Sequence, residues 1–190
     1  IAQAEVGGEV NGADAGVHSF SGVALKTAGT RSLTATDTVT AAVTGTTSGI
    51  AVSPAAAASL SVTAPGSAGA GTPFTVTVTA LDAFANTATG YAGTIHFTST
   101  DPGATLPANY TFTAGDSGAH AFANGVTLTT GSRTVTATDT GNAAITGTTG
   151  PIVVAASGST TALAGPASSV VGQTVTFTAT VTASPAVSGG

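Results

Sequence analysis

The sequence predicts an all-β chain of antiparallel β-sandwiches in tandem, and two observations carry that prediction. Apolar residues and threonines alternate strictly along several segments, of which 74–80 (FTVTVTA) is the clearest. A period of two is that of a strand with one buried face. In addition, Arg31 and Asp37 recur as Arg133 and Asp139, which lie 102 positions later by subtraction. A fixed period of about 100 residues matches one sandwich domain.

The repeat divides the chain into one complete and two partial modules. Segment 14–20 matches 116–122, and segment 65–76 matches 166–177. We therefore expect the C-terminal part of one module at 1–53, a complete module at 54–157 and the N-terminal part of a further module at 158–190. The joints at 53–59 and 155–159 are short and uncharged, which favours modules held in line over freely tumbling domains.

Clusters of Gly, Pro, Asn and Asp separate about seven predicted strands in the complete module. These strands lie near 59–64, 73–81, 92–99, 109–113, 119–128, 132–139 and 143–154. Regularly spaced short strands of this kind are typical of a β-sandwich. Pro151 falls within the last predicted strand, and because proline cannot donate a ladder hydrogen bond, it predicts a sheet edge or a bulge there.

The composition argues against several classes of protein. Three Lys and Arg residues and a net charge of −5 do not provide the basic patch that a nucleic-acid-binding protein needs. No apolar run approaches the roughly 18 residues of a membrane span, so we expect no membrane insertion. A hydrophobic content of 42% argues against disorder. Without cysteine, the chain has neither disulfides nor thiolate metal ligands.

One segment of the complete module carries a family resemblance. Residues 80–97 read ALDAFANTATGYAGTIHF, with Asp82 and Asn86 ahead of an alternating strand. This segment resembles the bacterial immunoglobulin-like domains of the invasin and intimin group, which carry D-x-x-G-N…G-x-x-V-x-F between their second and third strands. Ala85 departs from that pattern, because the family usually has glycine there. Residues 159–190 look like the start of a related bacterial immunoglobulin-like type.

The resemblance implies a fold and a role. The fold is a series of tandem immunoglobulin-like antiparallel β-sandwiches. The role is that of a non-catalytic spacer or adhesive stalk in a large bacterial surface or secreted protein, outside the cell. The family pattern marks no catalytic residue in this chain.

Three residues are candidates for contact with sugars. Tyr91 and Tyr110 are the only tyrosines and the chain has no tryptophan, so these two rings are the candidates for contacting a carbohydrate ligand. For Tyr91 we favour a structural role, in which its ring packs at a strand end. Asn109 begins an Asn-Tyr-Thr sequon and is a candidate for N-glycosylation. O-linked sugars on the outward threonines are the alternative.

The remaining polar residues favour structural roles. Asp82 and Asn86 are candidates either for calcium ligation or for capping their own turn, and we expect the turn role. His18 and His120 hold equivalent repeat positions, which indicates hydrogen-bonded histidines at the rim of a sandwich. No G-x-S-x-G motif and no metal-ligand spacing of the histidines occurs. The sequence thus indicates no catalytic residue, no cofactor and no metal site.

Two classes of function remain open. The first is a structural stalk, fibre or adhesin shaft whose partners are neighbouring modules or other copies of the protein, because poorly charged surfaces associate. In this hypothesis the partial modules are completed by strand addition between copies or by continuing chain. The alternative is a carbohydrate- or surface-binding module, or an accessory domain of a large secreted enzyme.

Overall fold

A computed structural model describes residues 12–156 and 158–184, and these residues form an all-β structure. Two 3₁₀ turns lie at Gly12–Asp14 and Ala114–Asp116. The strands are β1 (Gly29–Thr36), β2 (Thr44–Val52), β3 (Ser59–Thr63), β4 (Ser67–Gly69), β5 (Phe74–Leu81), β6 (Thr94–Ser99), β7 (Tyr110–Thr111), β8 (Ala119–Val126), β9 (Gly131–Arg133), β10 (Val135–Asp139), β11 (Thr146–Thr148), β12 (Ile152–Ala155), β13 (Gly158–Ala164) and β14 (Thr178–Ser184). The predicted partial modules extend over 1–11 and 185–190, which lie outside the described residues.

Residues 59–155, which we call the central unit, fold as a β-sandwich-like body. Its sheets have the strand orders β3-β5-β8, β11-β10-β6-β7 and β4-β12-β9. All pairings are antiparallel except that of β12 with β4. One apolar core joins them: Leu60, Val62, Phe74, Val76, Val78, Ala80, Ala88, Ile95, Phe97, Phe112, Phe122, Val126, Leu128, Val135, Ala137, Ile152 and Val154. The alternation in β5 buries Val76 and Val78 completely, which contributes about 2 kcal/mol for each side chain.

The predicted strands of the complete module are present, with two differences. Segments 132–139 and 143–154 each form two strands instead of one, because the ladder is interrupted between them. At the interruption the Thr149 N–H donates to the Val135 carbonyl, and the Val135 N–H donates to Thr149 Oγ1 at 3.1 Å. Pro151 lies in this irregular stretch, as the missing proline N–H predicts. The second difference is β4, which is too short to show a period in the sequence.

The duplicated sequence forms the same hairpin twice. In the first copy, which we call the first hairpin (β1 and β2), Arg31 pairs with Ile50 and Ala35 pairs with Gly45. In the central unit the residues 102 positions later pair identically, β9 with β12 and β10 with β11. Each turn is also held by one aspartate that accepts two backbone N–H groups, Asp37 in the first hairpin and Asp139 in the central unit.

The two copies differ in what covers them. In the central unit β11 crosses β3 so closely that a Cβ on Gly147 would lie 1.9 Å from the Leu60 carbonyl oxygen. A Cβ on Gly45, at the same position in the first hairpin, would meet nothing within 4 Å. The described chain therefore contains this hairpin once closed by the rest of a sandwich and once open.

β13 and β14 form a further open hairpin, which we call the last hairpin. In this hairpin Thr161 pairs with Val181. The residues 101 positions earlier, Leu60 in β3 and Ala80 in β5, pair in the same way. Leu163 is 68% exposed, although the matching residue of β3, Val62, is only 7% exposed. The last hairpin thus presents to solvent a face that the central unit buries.

Candidate functional site

The loop after β5 contains the first of four polar clusters in the central unit. Asp82 is buried and its Oδ1 accepts the N–H groups of Phe84 and Asn86 at 2.8 and 2.9 Å. The Asn86 amide nitrogen also donates to both carboxylate oxygens. Burial opposes the charged form of Asp82, but the hydrogen bonds from Asn86 and from the backbone outweigh it and lower its pKa to about 2. The turn-capping prediction is confirmed for Asp82, whereas the Asn86 side chain bonds the Asp82 carboxylate and the backbone of Lys26 and Ala28 instead of the backbone of its own turn.

Ala85 gives that loop its strained residue. Its φ is +62°, in the left-handed region that glycine adopts freely and that costs an alanine about 1 kcal/mol. Alanine thus occupies a backbone conformation that favours glycine. The bonds that Asp82 accepts offset the strain.

The second cluster surrounds Asp116 at the rim of the sandwich. Its carboxylate lies 2.7 Å from His120 Nδ1 and accepts the Tyr110 hydroxyl at 3.1 Å. The Thr113 N–H, the His120 ring and further hydroxyl donors lower the pKa of Asp116 well below its usual range, against the opposing effect of burial. The rings of Tyr110 and His120 stack with centroids 4.0 Å apart. Tyr110 therefore contacts His120 with its ring face and Asp116 with its hydroxyl.

His18 repeats part of this arrangement in the preceding segment. Its Nδ1 lies 3.2 Å from Asp14, four residues earlier, as His120 lies by Asp116. It also contacts the Phe20 ring edge-on. The predicted position at the rim of a sandwich is therefore confirmed for His120, whereas His18 lies exposed in a segment without strands.

Tyr91 belongs to the third cluster. Its hydroxyl donates to Asp139, and its ring packs edge-on against Phe112 with centroids 5.0 Å apart. Burial, together with the adjoining Asp139 carboxylate, raises the pKa of Tyr91 well above its usual range. Tyr91 also lines a groove of about 540 Å³ between the joint 53–57 and the segment 88–92. The packing predicted for this ring is present.

Asn109 and His96 lie together on the outer face of the sandwich. The Asn109 side-chain oxygen is 2.8 Å from His96 Nδ1, and both residues are exposed. Asn109 is thus accessible to a glycan, and its side-chain oxygen already has a hydrogen-bond partner in His96.

Sequence reasoning missed a buried carboxylate, Asp101. It accepts the N–H and the hydroxyl of Thr129 and the N–H of Gly103, and lies 4.0 Å from Arg133. Arg133 also donates to the Thr130 carbonyl at 2.7 Å. The recurrence of Arg31 as Arg133 indicated a structural role for this arginine. It did not indicate Asp101, because that residue is remote from Arg133 in sequence.

These carboxylates predict the acid stability of the central unit. The pKa values of Asp82, Asp101, Asp116 and Asp139 are all lowered in the folded protein. Each therefore contributes stability that is fully present above its unfolded pKa, near 3.9, and is lost as the pH falls toward the folded value. We expect the urea midpoint to be constant from neutral pH to about pH 5 and to fall steeply below about pH 4.

Tyrosine fluorescence measures this transition in the central unit alone, because both tyrosines lie there and the chain has no tryptophan. A midpoint that rises as the pH falls from 5 to 3 would contradict this assignment of the carboxylates.

The polar clusters hold loops and strand ends of the central unit together through hydrogen bonds. Every aspartate of the central unit accepts backbone or side-chain hydrogen bonds, so its carboxylate oxygens already have partners within the protein. Among the described residues, no three His, Cys, Asp or Glu side chains are grouped as metal ligands would be. No helix in that part of the chain is long and apolar enough to cross a membrane. Comparison with protein-family models, curated proteins and solved structures finds no match.

Proposed function

We propose that this chain is a non-catalytic structural part of an extracellular bacterial repeat protein, with tandem immunoglobulin-like modules that form a stalk, fibre or adhesin shaft. The observation that supports this proposal best is that one hairpin occurs twice with the same register. One copy packs against Leu60 of β3 at Gly147, and the other has nothing near the equivalent residue, Gly45. A unit repeated with its pairing intact is what an array of like modules requires. The resemblance of segment 80–97 supplies the immunoglobulin-like assignment and the location at the bacterial surface.

The open hairpins support association between copies. In the last hairpin Phe177 and Val181 are 60% and 66% exposed, while the matching core residues Val76 and Ala80 are fully buried. A contiguous apolar face of this kind is unusual on a free protein surface. We propose that the last hairpin of one copy packs on the first hairpin of another, with strand addition at the free edges.

Light scattering of the chain over a wide concentration range tests this association. We expect oligomers that grow with concentration and that are lost in Leu163→Asp, because a charge would be buried in the contact. Val153→Asp is the matched control, since Val153 is 60% exposed on the outer face of β12. A chain that is monomeric at every concentration, or a Leu163→Asp variant that associates like the wild type, would contradict the association between copies.

The alternative is a carbohydrate-binding module, and the groove beside Tyr91 favours it. Ligand sites are concave and are commonly lined by aromatic side chains, as this groove is by Tyr91. A glycan array with the wild type and with Tyr91→Ala tests it. Binding that Tyr91→Ala abolishes would support the alternative, whereas an array without wild-type binding would contradict it.

A further inference from the structure

We propose that the loop between β5 and β6 is a docking surface for the module that precedes it in the chain, and that the Asn86 side chain is its specific contact. The Asn86 Oδ1 accepts the Ala28 N–H at 2.8 Å, and the Asn86 Nδ2 donates to the Lys26 carbonyl at 2.8 Å. Both partners lie just before β1, in the segment that leads into the first hairpin. The inference goes beyond the proposed function, because the joint would be the same in a stalk and in a binding protein.

The chemistry of the contact requires an amide side chain. Lys26 offers a carbonyl and Ala28 an N–H two residues on, so their partner must donate and accept at once. Asn and Gln side chains carry a donor and an acceptor on one planar amide group, as a backbone peptide does. A carboxylate at position 86 could accept from Ala28 but could not donate to Lys26.

The loop holds this amide ready for its partner. Nδ2 also donates to Asp82 Oδ2 at 2.9 Å, so the nitrogen faces the carboxylate and the Lys26 carbonyl, and the oxygen faces Ala28. The same Asp82 Oδ2 accepts the Ala55 N–H at 3.0 Å. One buried carboxylate therefore fixes the docking side chain and also the chain segment that joins the two modules.

The docked segment is itself braced. Arg31 reaches back from β1, where its Nε donates to the Thr27 carbonyl at 3.0 Å and its Nη2 donates to the Ala28 carbonyl. Gly29 has a φ of +104°, which lets the chain turn from this segment into β1 without strain. Two preformed surfaces lose little conformational entropy when they meet.

A second contact lies beside the amide. Lys26 Nζ lies 5.5 Å from the centroid of the Phe84 ring, which is 51% exposed. A cation at that distance from an aromatic face is attracted to it. The partner that this loop fits is therefore a short backbone segment with a basic side chain, immediately ahead of a glycine and a strand.

The test is amide exchange and proton NMR of the whole chain with an Asn86→Ala variant. We expect the Ala28 amide to exchange about five- to tenfold faster in Asn86→Ala than in the wild type, as the loss of one hydrogen bond predicts. The matched control is Asn142→Ala, whose side chain caps only its own turn at Ala144. In that variant the Ala28 amide should exchange at the wild-type rate. A wild-type Ala28 amide that exchanges as fast as an unstructured chain, or one that Asn86→Ala leaves unchanged, overturns the proposal.

The Lys26 side chain gives a second measurement that does not alter the buried loop. Its ε-methylene protons should be shifted upfield by the Phe84 ring in the wild type and should return to their unperturbed position in Phe84→Ala. Exchange of the Val78 amide in β5 should be the same in both proteins, which shows that the central unit is intact. An unshifted Lys26 signal in the wild type overturns the proposal.

Discussion

The Gly147→Ala variant is expected to lower the free energy of unfolding of the central unit by about 3 kcal/mol. The added methyl would lie 1.9 Å from the Leu60 carbonyl oxygen and 2.6 Å from its carbon. Both are backbone atoms of β3, so no side chain can rotate away and the sheets must separate. Urea unfolding followed by tyrosine fluorescence measures the loss.

Gly45→Ala is the matched control for this variant. It makes the same chemical change at the same position of the first hairpin, where the methyl would meet nothing within 4 Å. We expect it to leave the urea midpoint unchanged. Equal effects of the two substitutions, or a stable Gly147→Ala variant, would show that β3 does not close on β11 as described.

The Asp139→Ala variant is expected to lower the free energy of unfolding of the central unit by a similar amount, about 3 kcal/mol. Asp139 is 7% exposed and accepts the Tyr91 hydroxyl and the N–H groups of Gly141 and Asn142. Its removal would leave the half-buried Tyr91 hydroxyl without its partner beside the core, whereas water can reach the N–H groups of the exposed residues Gly141 and Asn142. Because Tyr91 fluorescence itself changes with this partner, exchange of the Val78 amide is the better measurement.

The control is Asp37→Ala, which removes the matching aspartate of the first hairpin. Asp37 accepts the N–H groups of Val39 and Thr40 in an exposed turn. Water can replace it there, so the Val78 amide should exchange as in the wild type. If Asp139→Ala has no more effect than Asp37→Ala, the Tyr91 contact does not stabilise the unit.

The strands were predictable because the burial of one sheet face is local information. The alternation of 74–80 gives β5 with its buried face in the predicted register, and the offset of Arg31 and Arg133 gives two equivalent hairpins. The break near Pro151 followed from a single missing N–H. These features depend on residues that are neighbours in sequence.

What could not be predicted depends on contacts between distant residues. Asp101 is hydrogen-bonded to Thr129, 28 positions away in sequence, and Asn86 is hydrogen-bonded to Lys26, 60 positions away. A pattern of periods and turns does not show which loops meet. For the same reason the sequence marked Tyr91 and Tyr110 as candidate sugar contacts, without showing that Asp139 and Asp116 already bind their hydroxyls.

If an open module of one copy is completed by another copy, amide exchange in that module should depend on the concentration of the chain. At low concentration the Gly45 amide of the first hairpin should exchange much faster than the Gly147 amide of the central unit. At high concentration we expect Gly45 to become protected while Gly147 stays unchanged. A Gly45 amide whose exchange does not depend on concentration would contradict the claim.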